Sequence, residues 1–307
     1  ARGTCVASIA AAHGHAGVAV CLHGAPGYPA PLAGDHQAPP VLFLRGDVAA
    51  VDGPRVAVVG TRGATGYGRD VARQLGRDLA AAGVRVVSGL ALGIDGAAHQ
   101  GALEAAGAPP VGVVGSGLDV VYPRRHADLW RRVAASGVLV SEAPLGARPE
   151  AWRFPARNRL IAALADVVVV VESPTAGGSL HTVRAAEERG RTVMAVPGPV
   201  GSRASAGANR LLSEGCPPAC DADDVLVALS LETAGRPSVA DRRDRRPAPT
   251  GVDAEVLELL GWEAAALDDL LAATDLAPAA VTGALARLEE LGWARGRAGW
   301  WERVTAP

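Results

Sequence analysis

The chain has 307 residues, of which 49% are hydrophobic and 20% are charged, and its formal net charge is -2. This length and composition are typical of a folded protein with one large and one small domain. All 30 basic side chains are arginine, because the sequence contains no lysine. This excludes sites that depend on a lysine amine, such as Schiff-base catalysis, pyridoxal phosphate attachment and the P-loop. A phosphate would have to be bound by arginine, backbone N–H groups or helix N-termini.

The cysteine content indicates a protein without structural disulfides or metal. Cys5, Cys21, Cys216 and Cys220 are too few for a disulfide framework in a chain of this length, so we expect a reduced, cytoplasmic protein. Cys216 and Cys220 form a CxxxC pair that lacks a second pair of ligands, so we expect no zinc site. No apolar run reaches the roughly 18 residues of a membrane span. We predict no cofactor.

The residue pattern predicts the fold class. Residues 1–52 are interpreted as an N-terminal extension that packs on the core. Over residues 53–230, short β-branched runs alternate with glycine-bearing loops and amphipathic helices, which is typical of repeated βαβ units. Continuous aliphatic strands predict an α/β fold, a Rossmann-like, doubly wound and mainly parallel sheet whose ligands bind at the carboxyl ends of the strands. The predicted strands are residues 56–59, 84–87, 111–114, 138–140, 167–171 and 192–196.

The C-terminal part of the sequence predicts a separate small domain. Residues 231–250 are rich in proline and arginine and are interpreted as a linker. Residues 251–307 follow a winged-helix pattern of three helices and a ribbon. They contain ten acidic residues and four arginines, whereas a domain that reads duplex DNA should be basic. We therefore favour a protein-contact role, although Arg295, Arg297 and Arg303 could touch nucleic acid locally.

A glycine-rich loop, GTRGATGYG, follows the first predicted strand at residues 60–68. Glycines allow backbone amides to approach an anion near a helix N-terminus. The spacing is not GxGxxG, and the second strand ends in Ser88 and Gly89 instead of the acidic residue that binds ribose, which argues against a nicotinamide or flavin dehydrogenase. Arg62 could donate two hydrogen bonds to a phosphate, or it could be a solvated residue on a tight turn.

The densest cationic stretch of this domain is residues 148–159, where four arginines accompany Trp152 and Phe154 against the single acid Glu150. Cations and planar side chains together are typical of single-stranded nucleic-acid binding. The alternative is that the arginines pair with neighbouring carboxylates at the start of a helix. Small-residue loops follow other strands at residues 88–95, 115–119 and 175–179, and they predict a broad, shallow groove along the same sheet edge.

The sequence offers little support for catalysis. Asp95 and His99 are spaced to share one helical face and could form an acid/base pair, but a hydrogen-bonded structural pair is the favoured interpretation. No GxSxG or HExxH motif occurs. An enzyme that acts on nucleotides or nucleosides remains the alternative function, because Rossmann-like families with glycine-rich loops at this edge also bind phosphate.

Nine motifs occur in order between residues 28 and 224: YPAPL, PPVLFLRGD, VAVVGTR, SGLALGIDGAAH, GLDVVYP, SEAPLG, FPARNRLIA, GGSLHTVRAA and AVPGPV. In these motifs the chain resembles the DNA-processing protein family DprA, also called Smf, and the tail from residue 252 resembles its winged-helix domain. The resemblance implies a cytoplasmic, non-enzymatic, homodimeric protein. It also implies that the protein binds and protects incoming single-stranded DNA and loads the RecA recombinase in natural transformation.

The resemblance also implies which residues face the DNA. Our hypothesis for the mechanism is that glycine-loop amides and the guanidinium groups of Arg62, Arg157 and Arg159 hold successive phosphates, while Phe154 or flipped-in bases provide stacking. The sequence departs from the family at Leu92, where an arginine is frequent, and at His126, where an asparagine is frequent. From this sequence alone we expect no counterpart of the family's longer N-terminal helical domain. The implied DNA-binding residues are Gly60, Thr61, Arg62, Gly63, Ser88, Gly89, Arg153, Phe154, Arg157, Asn158, Arg159, Gly178 and Ser179.

Overall fold

The computed structural model describes residues 6–229, 246–260, 264–297 and 299–304. The chain divides into two compact units, a larger one built on an eight-stranded sheet and a smaller C-terminal one built on a three-stranded sheet.

The larger unit contains the predicted Rossmann-like sheet, with strands in the order β1-β2-β6-β5-β4-β3-β7-β8. The run from β6 to β8 is parallel, and all six of its strands begin and end within one residue of the predicted bounds. Their valine-rich runs are buried on both faces, as the absence of alternation predicts. The strands are β1 (Ala19–Leu22), β2 (Val41–Gly46), β3 (Arg55–Val59), β4 (Arg85–Ser88), β5 (Val111–Val113), β6 (Val138–Ser141), β7 (Val167–Val170) and β8 (Thr192–Ala195).

The helices of this unit connect and cover the strands. Between successive parallel strands they form crossovers, so the carboxyl ends of the strands and their loops collect at one edge of the sheet. The helices are α1 (Val6–His15), α2 (Ala30–Ala33), α3 (Gly66–Ala81), α4 (Ile94–Glu104), α5 (Ala127–Ser136), α6 (Arg153–Leu164), α7 (Leu180–Glu187), α8 (Ala206–Ser213) and α9 (Ala222–Ala228), with 3-10 turns at Val48–Val51 and Arg124–His126.

Strand order reverses between β3 and β7. The chain progresses from β3 through β4 and β5 to β6 on one side and then returns to place β7 and β8 on the other side of β3. In open α/β sheets, ligands bind in the crevice outside the carboxyl ends of the strands at such a switch point. The topology therefore predicts a ligand site at the loops that follow β3 and β7.

The N-terminal segment adds two strands to this sheet. Strands β1 and β2 pair with each other and β2 pairs with β6, both in antiparallel fashion. The segment that was interpreted as an extension on the core thus extends the sheet itself, and its Leu42 and Leu44 are buried. The loop between the two strands is fastened by a buried ion pair in which Arg189 Nε lies 2.7 Å from the Asp35 carboxylate.

The smaller unit has the predicted winged-helix elements around a core that includes Val256, Leu285 and Leu288. Residues 231–245 of the predicted linker lie outside the described residues. Within its last part, Arg246 stacks on Trp293, with the guanidinium carbon 3.8 Å from the ring centroid. The elements are α10 (Val252–Leu259), β9 (Ala265–Ala266), α11 (Leu267–Ala272), α12 (Pro278–Glu290), β10 (Ala294–Arg297) and β11 (Trp300–Arg303).

No helix in the described ranges is long and apolar enough to cross a membrane. Within the same ranges, no three histidine, cysteine, aspartate or glutamate side chains come together in a way that could hold a metal ion. Cys21 is buried and Cys220 is exposed, and both are free thiols.

Candidate nucleic-acid interface

A groove of about 770 Å³ lies at the switch point and is called the main groove here. It is lined by the loop after β3, the first turns of α6 and the loop that follows β7 at residues 174–179. The predicted site residues that line the main groove are Gly60, Thr61, Arg62, Phe154, Arg157, Asn158, Gly178 and Ser179.

The loop after β3 is held in place by its neighbours. The Thr61 N–H donates a 2.7 Å hydrogen bond to the Glu172 carbonyl, which fixes the loop to the end of β7. A Cβ atom at Gly60 would collide with Ile94 and with the same carbonyl oxygen, so this close approach requires glycine. The backbone of the loop is therefore pre-organised, and the exposed Arg62 extends from a rigid support.

Arg62 lies beside two aromatic rings. Its guanidinium carbon is 4.7 Å from the centroid of Phe154, and the Phe154 centroid is 5.4 Å from that of Tyr122. Arg62 forms no ion pair with any residue that the structure describes. Tyr122 was not among the predicted site residues, although it stands in the GLDVVYP motif. This cluster combines a cation with planar apolar surface, which suits a phosphate and an unpaired base.

Arg157 has a different position from the one expected of a phosphate ligand. Its side chain is buried, and its Nη1 donates a 2.8 Å hydrogen bond to the Gly89 carbonyl and a short one to the Val113 carbonyl. Burial lowers the pKa of Arg157 to about 10, although the nearby Asp95 raises it, so the group stays charged at neutral pH. Arg157 thus connects the ends of β4 and β5. A Cβ at Gly89 would collide with the guanidinium group, which explains the glycine there.

Arg153 and Arg159 have carboxylate partners, as the alternative interpretation of this stretch proposed. Arg159 pairs closely with Glu142 and donates a 2.7 Å hydrogen bond to the Gln37 carbonyl. Arg153 Nε lies 3.6 Å from the Glu150 carboxylate. Neither residue lines the main groove.

The structure also shows the positions of four other residues considered in the sequence, Asn158, Ser88, Gly63 and Leu92. Asn158 lies in the groove and donates a 3.1 Å hydrogen bond to the Gly178 carbonyl, which links α6 to the loop after β7. Ser88 is buried and donates to the Val58 carbonyl, so it does not face the groove. Gly63 is exposed outside the groove lining. Leu92, the departure from the family pattern, lines a small pocket of about 80 Å³ beside Arg62.

Asp95 and His99 do not form the expected pair. The Asp95 carboxylate accepts a 3.1 Å hydrogen bond from the Gly89 N–H, and burial raises the pKa of Asp95. Burial also lowers the pKa of His99 to about 4, so its ring is neutral at pH 7. His126 stands where the family frequently has an asparagine, and its Nδ1 lies 2.9 Å from the Leu90 carbonyl oxygen. Asp95 and His126 therefore hold the loop after β4 in place, whereas the buried His99 ring nitrogens have no hydrogen-bond partner among the described residues.

Comparison with known proteins adds two domain matches. The domain described as DNA recombination-mediator protein A matches residues 19–230, and the DprA winged helix domain matches residues 240–299. The second match agrees with the three helices and the ribbon of the smaller unit.

Related proteins in other bacteria are also described as DprA or Smf. The putative DNA processing protein DprA of Mycobacterium tuberculosis is 45% identical over 260 residues, which cover 82% of this chain. The matched part spans 65% of that relative, just under two thirds of its length. Protein Smf of Escherichia coli is 37% identical over 274 residues, which cover 87% of this chain and 72% of the relative.

Solved structures agree with the observed fold. DNA processing protein A from Streptococcus pneumoniae superposes with a TM-score of 0.63 at 35% identity, covering 71% of this chain and 77% of that one. The Helicobacter pylori protein, described with a single-stranded DNA binding mode, superposes with a TM-score of 0.62 at 28% identity. That match covers 69% of this chain and 95% of the other. Since sequence, domains and fold agree, the chain belongs to the DprA (Smf) family of DNA processing proteins.

Proposed function

We propose that this protein binds single-stranded DNA in the main groove and leaves it covalently unchanged. The observation that carries the proposal is the Arg62, Phe154 and Tyr122 cluster at the topological switch point. A guanidinium group contacts a phosphate, and the rings stack on bases regardless of their identity. The description of the Helicobacter pylori relative supports the same ligand.

The aromatic rings favour a single strand over a duplex. Phe154 and Tyr122 lie in the groove lining, and Tyr122 is 41% exposed. Bases in a duplex are stacked on one another and offer their faces to no side chain, whereas unpaired bases can stack on aromatic rings. We therefore expect a labelled oligonucleotide to bind more tightly as a single strand than as a duplex.

Arg62→Ala is expected to weaken single-stranded DNA binding about tenfold or more, because a hydrogen bond to a charged group contributes about 1.5–3 kcal/mol. Loss of one phosphate contact should also reduce the magnitude of the log–log salt slope by about 0.7. Fluorescence anisotropy over a range of salt concentrations measures both quantities. Equal losses are expected for all sequences, since phosphate contacts carry no base information.

Arg131→Ala is the matched control for this measurement. Arg131 also carries one positive charge, but its side chain is 77% exposed on α5 and lines none of the grooves described here. It should change affinity only slightly. If both variants bind alike, or if Arg62→Ala affects only some sequences, the proposed phosphate contact is wrong.

The alternative, an enzyme that acts on nucleotides, makes an opposite prediction. Incubation with a panel of mononucleotides followed by mass spectrometry should show no new product, while single-stranded oligonucleotides bind tightly. Turnover of any mononucleotide, together with weak oligonucleotide binding, would favour the enzyme.

We propose further that the protein acts in the cytoplasm as a homodimer, protects incoming DNA and loads RecA recombinase onto it during natural transformation. The description of the matching domain as a recombination mediator supports the role in recombination. RecA ATPase activity on DNA that is covered by single-strand-binding protein should rise when the protein is added. The Arg62→Ala variant should fail to produce that rise, and equal stimulation by the variant would separate RecA loading from the groove.

A further inference from the structure

A second groove, of about 300 Å³, lies across helix α6 from the main groove. It is formed at the carboxyl ends of β5 and β6, and its lining includes Trp152, Arg153 and Ala156. The helix period explains why neighbouring residues line different grooves. Trp152 already has helical backbone angles, and a step of two residues turns an α-helix by about 200°. Phe154 therefore faces the main groove while Trp152 and Ala156 face the second groove.

Trp152 presents a pre-oriented and exposed ring at this groove. Its relative exposure is 62%, although the indole Nε1 donates a 2.6 Å hydrogen bond to Glu150 and the Arg153 guanidinium carbon lies 4.5 Å from the ring centroid. These contacts fix the ring, and although Arg153 lies over one face, most of the residue remains exposed. A large aromatic surface that is held in place and left exposed suits a planar ligand.

The charges around the second groove favour an anionic ligand. Its lining contains Arg153, Arg157 and Arg159 against Glu142. Glu142 is already paired with Arg159, and Arg157 donates to backbone carbonyls. The partner of Arg153, Glu150, has a side chain that is 53% exposed and lies 3.6 Å away. The Arg153 side chain is 25% exposed and its Nε makes no hydrogen bond to any described residue, so a phosphate can compete with Glu150 for Arg153.

The two grooves adjoin at the start of α6. Arg157 lines both of them, and Arg153 separates Phe154 from Trp152 in the first turn. Building on the proposed binding of single-stranded DNA, we propose that the second groove is an additional nucleotide subsite for the same strand. In this subsite Trp152 stacks on a base and Arg153 binds the adjoining phosphate. The strand crosses the N-terminal turn of α6 between the two grooves.

The subsite is tested with the full chain and an oligothymidylate series from 3 to about 15 nucleotides, measured by fluorescence anisotropy. Trp152→Ala should weaken binding of the longest oligomers roughly 5- to 150-fold, the range expected for loss of one stacked base. The shortest oligomers that bind, which occupy the main groove, should bind the variant and the wild-type protein equally. Trp152→Phe should largely restore the affinity for long oligomers, because phenylalanine also offers a flat ring.

Trp300→Ala is the matched control, since Trp300 is 53% exposed in the smaller unit. It should change no affinity in the series. The subsite is excluded if Trp152→Ala leaves every length unaffected, or weakens the shortest and longest oligomers equally. Those results would leave the main groove intact as a proposal, whereas failure of the wild-type chain to bind any length would overturn both. Unchanged thermal unfolding of Trp152→Ala verifies that the variant is folded.

Discussion

Arg157→Ala is expected to lower the free energy of unfolding by about 3 kcal/mol or more. The guanidinium group is buried and donates to the Gly89 and Val113 carbonyls, and each hydrogen bond to a charged group contributes about 1.5–3 kcal/mol. Truncation leaves both carbonyls without this donor and removes a positive charge near the buried Asp95. Thermal unfolding followed by circular dichroism should show a midpoint about 6–12 °C lower, at 2–4 °C per kcal/mol for a unit of this size.

Two controls separate this structural role from DNA contact. Arg62→Ala, at an exposed position, should change stability by less than about 0.5 kcal/mol while it weakens DNA binding. Arg157→Lys keeps the charge but lacks the guanidinium fork, so it should remain clearly less stable than the wild-type protein. A stable Arg157→Ala variant that has lost only DNA affinity would show instead that Arg157 is a direct phosphate ligand.

Acidification from pH 7.5 to 4.5 is expected to cost about 2.5 kcal/mol of stability through His99 alone. Burial, with smaller contributions from the nearby His126 and Arg157, lowers the pKa of His99 from 6.5 to about 4. Between these values the unfolded state binds the extra proton and the folded state does not, so stability is fully present above pH 6.5 and falls below it. The slope is about 1.4 kcal/mol per pH unit. Urea denaturation at a series of pH values measures it.

His99→Gln isolates this contribution from other titrating groups. Asp95 acts in the opposite direction, because its raised pKa makes the folded state bind the proton more tightly than the unfolded state. The informative quantity is therefore the difference in unfolding free energy between wild-type protein and variant. That difference should shrink by about 2.5 kcal/mol from pH 7.5 to 4.5. A difference that does not vary with pH would mean that His99 titrates normally in the folded protein.

The parallel part of the sheet could be predicted because its strands are buried on both faces. Runs such as Val167–Val170 carry no polar residue, and this pattern identifies an interior strand without any knowledge of its neighbours. Strands β1 and β2 were not predicted, because no local pattern in the sequence marks them as part of this sheet. Their pairing is antiparallel and distant in sequence, and no crossover helix follows them to mark a βαβ unit.

The site could be predicted only in outline. Loops at the carboxyl ends of parallel strands are recognisable in a sequence, but the switch point depends on strand order, which local patterns do not contain. The roles of the arginines depended on where α6 begins, at Arg153. With that start, Phe154 faces the main groove, whereas Arg159 reaches Gln37, far away in the sequence. No spacing rule predicts a partner at that distance.

The antiparallel pairing of β2 with β6 has a consequence for synthesis of the protein. Phe43 pairs with Ser141, and more than 90 residues separate these two partners along the chain. At typical translation rates of about 5–20 residues per second, β2 leaves the ribosome roughly 5–20 s before its partner. During that interval the apolar Leu42 and Leu44 have no sheet to cover them. The nascent chain is then most prone to aggregate and most dependent on chaperones.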